Sequence, residues 1–301
     1  PLSSFRPLRC AVTLTASIMG HDSRPRPHLI PRAHIPGVFA MRKLLRPAAV
    51  LLAAFTLAHT ITSQAARAAE PADAPIYELR IYTCEPGKLE ALNQRFREHT
   101  MTIFARHGIE NVGYWIPTEG RAAITTLVYL FRHKNRVAAK ASWAAFRSDP
   151  EWKKVATASR ETHGKILAKA PESTYLAPTD YSPKTTAIKK DSLYELRIYT
   201  AAAGKLDALH DRFRQHTDKL FTELAMPCIG YFKPMDAPKS KNVMLYILEH
   251  KDRASADAAW KPFMADPRWQ AARAKTESNG RLTAERPERS YMKPTDYSPG
   301  K

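Results

Sequence analysis

The segment Tyr77-Glu78-Leu79-Arg80-Ile81-Tyr82-Thr83 recurs letter for letter as Tyr194-Glu195-Leu196-Arg197-Ile198-Tyr199-Thr200, 117 positions later. The offset holds through Gly87-Lys88-Leu89 and Gly204-Lys205-Leu206, and through Arg95-Phe96-Arg97 and Arg212-Phe213-Arg214. It continues through His99-Thr100 and His216-Thr217, His133-Lys134 and His250-Lys251, then Trp143 and Trp260. Both copies end on the same hexapeptide, Pro178-Thr179-Asp180-Tyr181-Ser182-Pro183 and Pro294-Thr295-Asp296-Tyr297-Ser298-Pro299. A repeat this long makes the chain two copies of one domain and limits the fold to architectures that a duplicated unit can build.

Each copy reads as an α+β unit. Ile76–Thr83 alternates and is rich in strand-favouring residues. Pro86-Gly87 turns the chain, and Leu89, Leu92, Phe96, His99 and Ile103 then recur at helical spacing. Val112–Pro117 and Ile124–Arg132 read as strands, Arg136–Phe146 as a helix, and Thr174-Tyr175-Leu176 as a last strand. Asp149-Pro150 opens a further helix, with Asp as N-cap and Pro in the first turn. The order β-α-β-β-α-α-β is ferredoxin-like, with helices on one face of an antiparallel sheet. The bare face needs cover. The expectation is that the two sheets pack face to face, as an intramolecular version of the dimeric α+β barrel.

The opening Tyr-Glu-Leu-Arg-Ile-Tyr-Thr, the Pro86-Gly87-Lys88 turn, Trp143-Ala144-Ala145-Phe146 before Asp149-Pro150-Glu151-Trp152, and the Pro-Thr-Asp-Tyr-Ser-Pro tail together resemble the NIPSNAP family. The resemblance covers residues 75–183 and 192–300. It implies the dimeric α+β barrel fold and brings no agreed catalytic residues with it.

Ahead of the repeats lies Met41-Arg42-Lys43-Leu44-Leu45-Arg46, then the apolar run Pro47–Ala58 and the small-residue site Ala66-Arg67-Ala68. This is the layout of a secretory signal peptide over residues 41–68, cleaved near Ala68, with a periplasmic or secreted product. The run is too short for a permanent span. Met41 is read as the start, and residues 1–40 as disordered upstream translation. The first domain is then 69–183, the linker 184–191 and the second domain 192–301. The formal net charge of +18 is inflated by this leader. Residues 1–68 carry nine Lys/Arg and one acid, which leaves 38 basic and 28 acidic residues beyond them. That surplus favours small anionic partners, while no nucleic-acid-binding pattern accompanies it. Zinc spacing, a phosphate loop and a nucleophile elbow are also missing, so neither metal nor cofactor is expected. Pairing of Cys84 with Cys228 stays open, as does a homo-oligomer.

Two constellations could carry chemistry. On the first strand, Leu79 and Ile81 are assigned to the helix side, which sends Glu78, Arg80 and Tyr82 into the space between the sheets, opposite Glu195, Arg197 and Tyr199. There they form either a docking network or an anion site in which the Arg pair holds a carboxylate and a Tyr donates a proton. His99 and His216 lie on the apolar helix stripe and are assigned to a helix–sheet cavity walled by Tyr129, Tyr246, Trp143 and Trp260. In that cavity the histidines are core residues, general bases, or axial haem ligands. His133 and His250 are expected to be exposed. The leading functional reading is a binding module for a small anionic or aromatic ligand or a protein. The alternative is a cofactor-independent oxygenase or isomerase.

Overall fold

The computed structural model describes residues 74–184 and 188–300. The expected leader, residues 1–40 and linker positions 185–187 lie outside the described residues. The first repeat runs β1 Ile76–Thr83, α1 Leu89–Arg95, a π-turn Phe96–Thr100, α2 Met101–Arg106, β2 Glu110–Pro117, α3 Ala122–Thr125, β3 Thr126–His133, α4 Arg136–Ser148, α5 Pro150–His163 and β4 Glu172–Pro178. The second runs β5 Leu193–Thr200, α6 Leu206–Arg212, a π-turn Phe213–Thr217, α7 Asp218–Glu223, β6 Cys228–Pro234, a 3-10 turn Lys239–Lys241, β7 Val243–His250, α8 Arg253–Ala265, α9 Pro267–Thr276 and β8 Glu288–Pro294. The expected order holds twice. The short α3 was not foreseen, and it takes Ile124 out of the third strand.

The strands close into one antiparallel barrel in the order β1-β3-β2-β8-β5-β7-β6-β4. Each repeat supplies a four-stranded sheet. The two sheets join edge to edge where Trp115–Pro117 pairs with Met292–Pro294 and where Leu176–Pro178 pairs with Phe232–Pro234. Closure leaves no free sheet edge, which is the usual hazard of an open β-sheet. The interior is filled by Tyr77, Leu79, Trp115, Val128, Leu130 and Leu176 from one repeat and by Tyr194, Leu196, Phe232, Leu245, Ile247 and Met292 from the other. Ile188 from the joint between repeats also enters this core, 1% exposed, so part of the polar-looking linker is structural.

Leu79 and Ile81 therefore face the barrel interior, and Glu78, Arg80 and Tyr82 face the helices. This reverses the expected assignment. The reason is dielectric: the barrel interior is drawn from both repeats and is lined mostly by aliphatic and aromatic side chains, so charged groups there would lack counter-charges. The helix side offers Trp143, His133 and Tyr129.

Close packing at the bulges in β2 and β6 explains two glycines. A Cβ on Gly113 would stand 2.4 Å from the Trp115 ring, and on Gly230 2.3 Å from the Phe232 ring. Only a residue without a side chain lets these large interior rings fold back over the strand. Asp149 caps α5 as expected, accepting from the Glu151 and Trp152 N–H groups at 2.8 and 3.1 Å. Cys84 and Cys228 are free thiols.

The hexapeptide tails cross between repeats. The Tyr297 hydroxyl donates to Asn93 Oδ1 at 2.8 Å, Arg97 grips Asp296 at 2.7 and 2.9 Å, and the Tyr114 N–H donates to Ser298 Oγ at 3.0 Å. In the mirror arrangement, Tyr181 meets His210 Nδ1 at 2.8 Å, Arg214 grips Asp180 at 2.6 and 2.8 Å, and the Tyr231 N–H donates to Ser182 Oγ at 3.0 Å. Each repeat is thus strapped by the end of the other. Ser298→Ala should destabilise the protein by roughly 1–3 kcal/mol, because it leaves the buried Tyr114 N–H without an acceptor. Asp296→Asn should cost far less, since its ion pair is solvent-screened. Urea unfolding of both variants checks this order.

Candidate functional site

The residues that sequence pattern singled out on β1 come together around one buried carboxylate. Glu78 is fully buried. Its Oε1 accepts from Arg80 Nη1 at 2.7 Å and from Ser173 Oγ at 2.6 Å. Its Oε2 accepts from Trp143 Nε1 at 2.7 Å and pairs with His133 Nε2 at 3.0 Å. An ionised carboxylate only accepts, so the imidazole is the donor in that pair. The backbone sets this up. β1 pairs with β3 on one side and β4 on the other, and that register places Arg80 opposite both Tyr129 and Ser173. α4, capped by Asn135 accepting from the Ala138 N–H at 2.8 Å, carries Trp143 down onto the cluster.

Burial alone would raise the Glu78 pKa, but the His133 hydrogen bond and the Arg80 charge outweigh it and take it from 4.5 to about 2. Burial works against Arg80 too, and the surrounding Tyr129, Tyr82 and Glu78 more than compensate, so the guanidinium stays charged. Its Nε donates to the Tyr129 hydroxyl at 2.9 Å and its Nη2 to Tyr82 at 3.3 Å. With Glu78 this uses three of the five guanidinium N–H groups, which leaves one on each Nη. The guanidinium carbon also lies 4.4 Å from the Trp143 ring centroid.

The second repeat repeats the design. Glu195 accepts from Arg197 at 2.9 Å and Trp260 at 2.8 Å, and pairs with His250 at 2.9 Å. Arg197 reaches Tyr199 at 3.3 Å and stacks 4.4 Å from Trp260. Here Tyr246 turns to Tyr199 instead, hydroxyl to hydroxyl at 3.1 Å, which leaves Arg197 Nε without a partner.

His133 and His250 are therefore buried partners of the carboxylates, not exposed residues. His99 and His216 move the other way. The Met101 N–H bonds to Phe96 O, and the Asp218 N–H to Phe213 O, so each helix passes through a wide π-turn. The extra residue in that turn shifts the stripe, putting Thr100 and Thr217 into the core and turning the histidines outward. The His99 side chain is 44% exposed, 3.8 Å from Glu98. It faces a groove of about 470 Å³ between α1 and α5, lined by Gln94, Glu98, Glu151, Lys154 and His163 among others. His216 is half-buried at the matching turn. The expected helix–sheet cavity is filled: Tyr129 and Tyr246 are fully buried in aromatic clusters. Burial holds the Tyr129 phenol well above its usual pKa. Among the described residues, no group of three His, Cys, Asp or Glu could hold a metal ion, and no helix is long and apolar enough to cross a membrane.

The cluster opens to solvent in the first repeat. A groove of about 750 Å³ lies between α4 and the β1–β4 edge, floored by Arg80, Tyr82, Ser173 and Tyr175 and walled by Trp143 and Trp152. Arg136, Lys140 and Arg147 line its rim. Arg136 stacks 3.7 Å from the Tyr175 ring centroid and bonds Asp236 at 2.7 Å.

Because the folded Glu78 carboxyl has the depressed pKa, its stabilisation is complete above pH 4.5 and is lost as pH falls towards 2. That loss should be on the order of 3 kcal/mol. Glu78→Gln should cost a similar amount at pH 7, because it leaves Arg80 buried without a counter-charge, and should flatten this part of the acid profile. Urea unfolding between pH 7 and pH 2 measures both effects.

The NIPSNAP family model matches residues 77–183 and again 194–299. No curated protein matches the chain. Among solved structures, a NIPSNAP-like domain protein from Burkholderia xenovorans is 22% identical, covering 37% of this chain and 90% of its own, with a TM-score of 0.32. A monooxygenase candidate from Fusobacterium nucleatum is 12% identical, covering 76% and 95%, with a TM-score of 0.49. An anthrone oxidase-like protein is 13% identical, covering 74% and 92%, with a TM-score of 0.49. At these similarities none of the three speaks to the chemistry of this chain. The family match over both repeats does settle membership: the chain belongs to the NIPSNAP family and carries two of its domains in tandem.

Proposed function

We propose that this protein is a binding module for a small aromatic carboxylate, held in the outer-face groove above Glu78 and Arg80. The observation that carries this reading is the state of Arg80. It is a permanently charged guanidinium, locked from below by Glu78, Tyr82 and Tyr129, with two N–H groups unspent. A carboxylate can take such a fork in two parallel hydrogen bonds. Half-buried Trp152 and the small part of Trp143 left exposed bound the groove for the body of the ligand, and Lys140 and Arg147 on the rim raise the local anion concentration.

Binding is favoured over acid–base catalysis because His133 is buried and does not line the groove, and the shifted groups around it are not proton donors or acceptors for a ligand there. Glu78 sits at about 2, Arg80 stays charged, and Tyr129 is pushed up and sealed from solvent. We also propose that the chain is exported, on the strength of the Met41–Arg46, Pro47–Ala58 and Ala66-Arg67-Ala68 layout. N-terminal sequencing of the protein from an expressing cell's periplasm should begin at Ala69, and material starting at Met41 contradicts export.

Titration of the tryptophan fluorescence with 4-hydroxyphenylacetate and with its uncharged amide tests the ligand class. The acid should bind at least about tenfold more tightly, since a hydrogen bond to a charged group is worth roughly 1.5–3 kcal/mol. The preference should shrink as salt rises. Equal affinity for acid and amide at every salt concentration contradicts the proposal.

A further inference from the structure

The two repeats carry the same buried cluster but different rims. On α4 the groove-facing positions are Arg136, Lys140, Trp143 and Arg147, spaced so that all four lie along one side of the helix. The same positions on α8 are Arg253, Asp257, Trp260 and Met264. Trp260 still reaches Glu195, so the helix sits in the same place. The charge along its edge does not survive. Lys140 is replaced by an acid and Arg147 by a thioether. The remaining cation, Arg253, is held by both oxygens of Asp257 at 3.0 and 3.1 Å and is also paired with Glu119.

The floor differs as well. The strand register sets Arg80 opposite Ser173, and Arg197 opposite Arg289. Ser173 is short and spends its hydroxyl on Glu78. Arg289 is long, and its guanidinium carbon lies 5.0 Å from the Tyr291 ring centroid, while Arg253 lies 4.2 Å from the same ring. Tyr291 thus has two guanidinium groups against it where Tyr175 has one. In the first repeat, four cations (Arg80, Arg136, Lys140, Arg147) meet Glu78, with Asp236 joining at the rim through Arg136. In the second, three cations (Arg197, Arg253, Arg289) meet Glu195 and Asp257, with Glu119 joining at the rim through Arg253.

We infer that the duplicated grooves have diverged, and that only the first repeat binds an anionic ligand, at one molecule per chain. Lys140 and Arg147 set this specificity by charge. The second repeat keeps the buried carboxylate cluster as structure and closes the barrel. This inference rests on the proposed carboxylate binding and adds its location and stoichiometry.

The test is calorimetric titration of the full chain with 4-hydroxyphenylacetate at low salt, alongside two double variants at exposed positions. The wild type should bind one equivalent. Lys140→Asp with Arg147→Met, which writes the second rim onto the first groove, should weaken binding by at least about tenfold. Asp257→Lys with Met264→Arg should leave the first site intact and raise the stoichiometry towards two. Circular dichroism and urea midpoints establish that both variants fold. Two equivalents bound by the wild type, or one equivalent whose affinity ignores the Lys140/Arg147 exchange, overturns the divergence while leaving carboxylate binding standing. No binding by any of the three proteins overturns both.

Discussion

A carboxylate buried out of reach of water must be given partners, and in this protein that requirement organises each half of the barrel. Glu78 draws a residue from its own strand, one from each neighbouring strand and one from the helix above: Arg80, His133, Ser173 and Trp143. Each carboxylate oxygen takes two of these four partners, so strand register, helix position and side-chain rotamers are fixed together. The same logic acts through Glu195 in the second half, without the hydroxyl that Ser173 contributes in the first. A network like this specifies one arrangement more than it adds net stability, since an apolar core of equal volume could be at least as stable.

The barrel and the clusters depend on each other through the pleat of β1 and β5. One side of each strand must be dry and uncharged to fill the barrel, and the other must hold the network. Closure occurs through short edge pairings, three residue pairs at each seam. These are supplemented by the crossed tails, which dock on the partner repeat with a tyrosine, a bidentate arginine–aspartate pair and a serine acceptor. Duplication within one chain makes this closure intramolecular. It also frees the two outer faces to change independently, which is how Lys140 and Asp257 can occupy matching positions.

Much of this was legible in the sequence, and what was not failed for physical reasons. The repeat, the element order and the α+β barrel follow from the 117-residue offset and from alternating patterns, and Asp149-Pro150 marked its helix start correctly. The assignment of strand faces failed because both faces of β1 are covered, so hydropathy alone does not say which apolar set meets the helices. The π-turn left no trace: Leu89, Leu92, Phe96 and His99 read as an ordinary stripe, and the one-residue widening that turns His99 outward lies in backbone geometry. His133 could have been found, because it shares strand parity with Tyr129 and Phe131, but a histidine beside Lys134 at a strand end looks exposed. Glu78, Arg80 and Tyr82 were expected between the sheets and Trp143 in a separate helix–sheet cavity, whereas the structure brings all four together on the helix side. The tail hexapeptide was recognised as a repeat, while its role as a strap needed the third dimension.

The central claim is that the functional surface is the outer groove above the Glu78 cluster, not the groove beside His99 and not the barrel interior. A crystal structure of the protein soaked with 4-hydroxyphenylacetate tests it most directly. The account predicts ligand density against Trp143, with its carboxylate on the two free N–H groups of Arg80. Density beside His99 between α1 and α5, or inside the barrel among Leu79, Ile81 and Leu196, would contradict it.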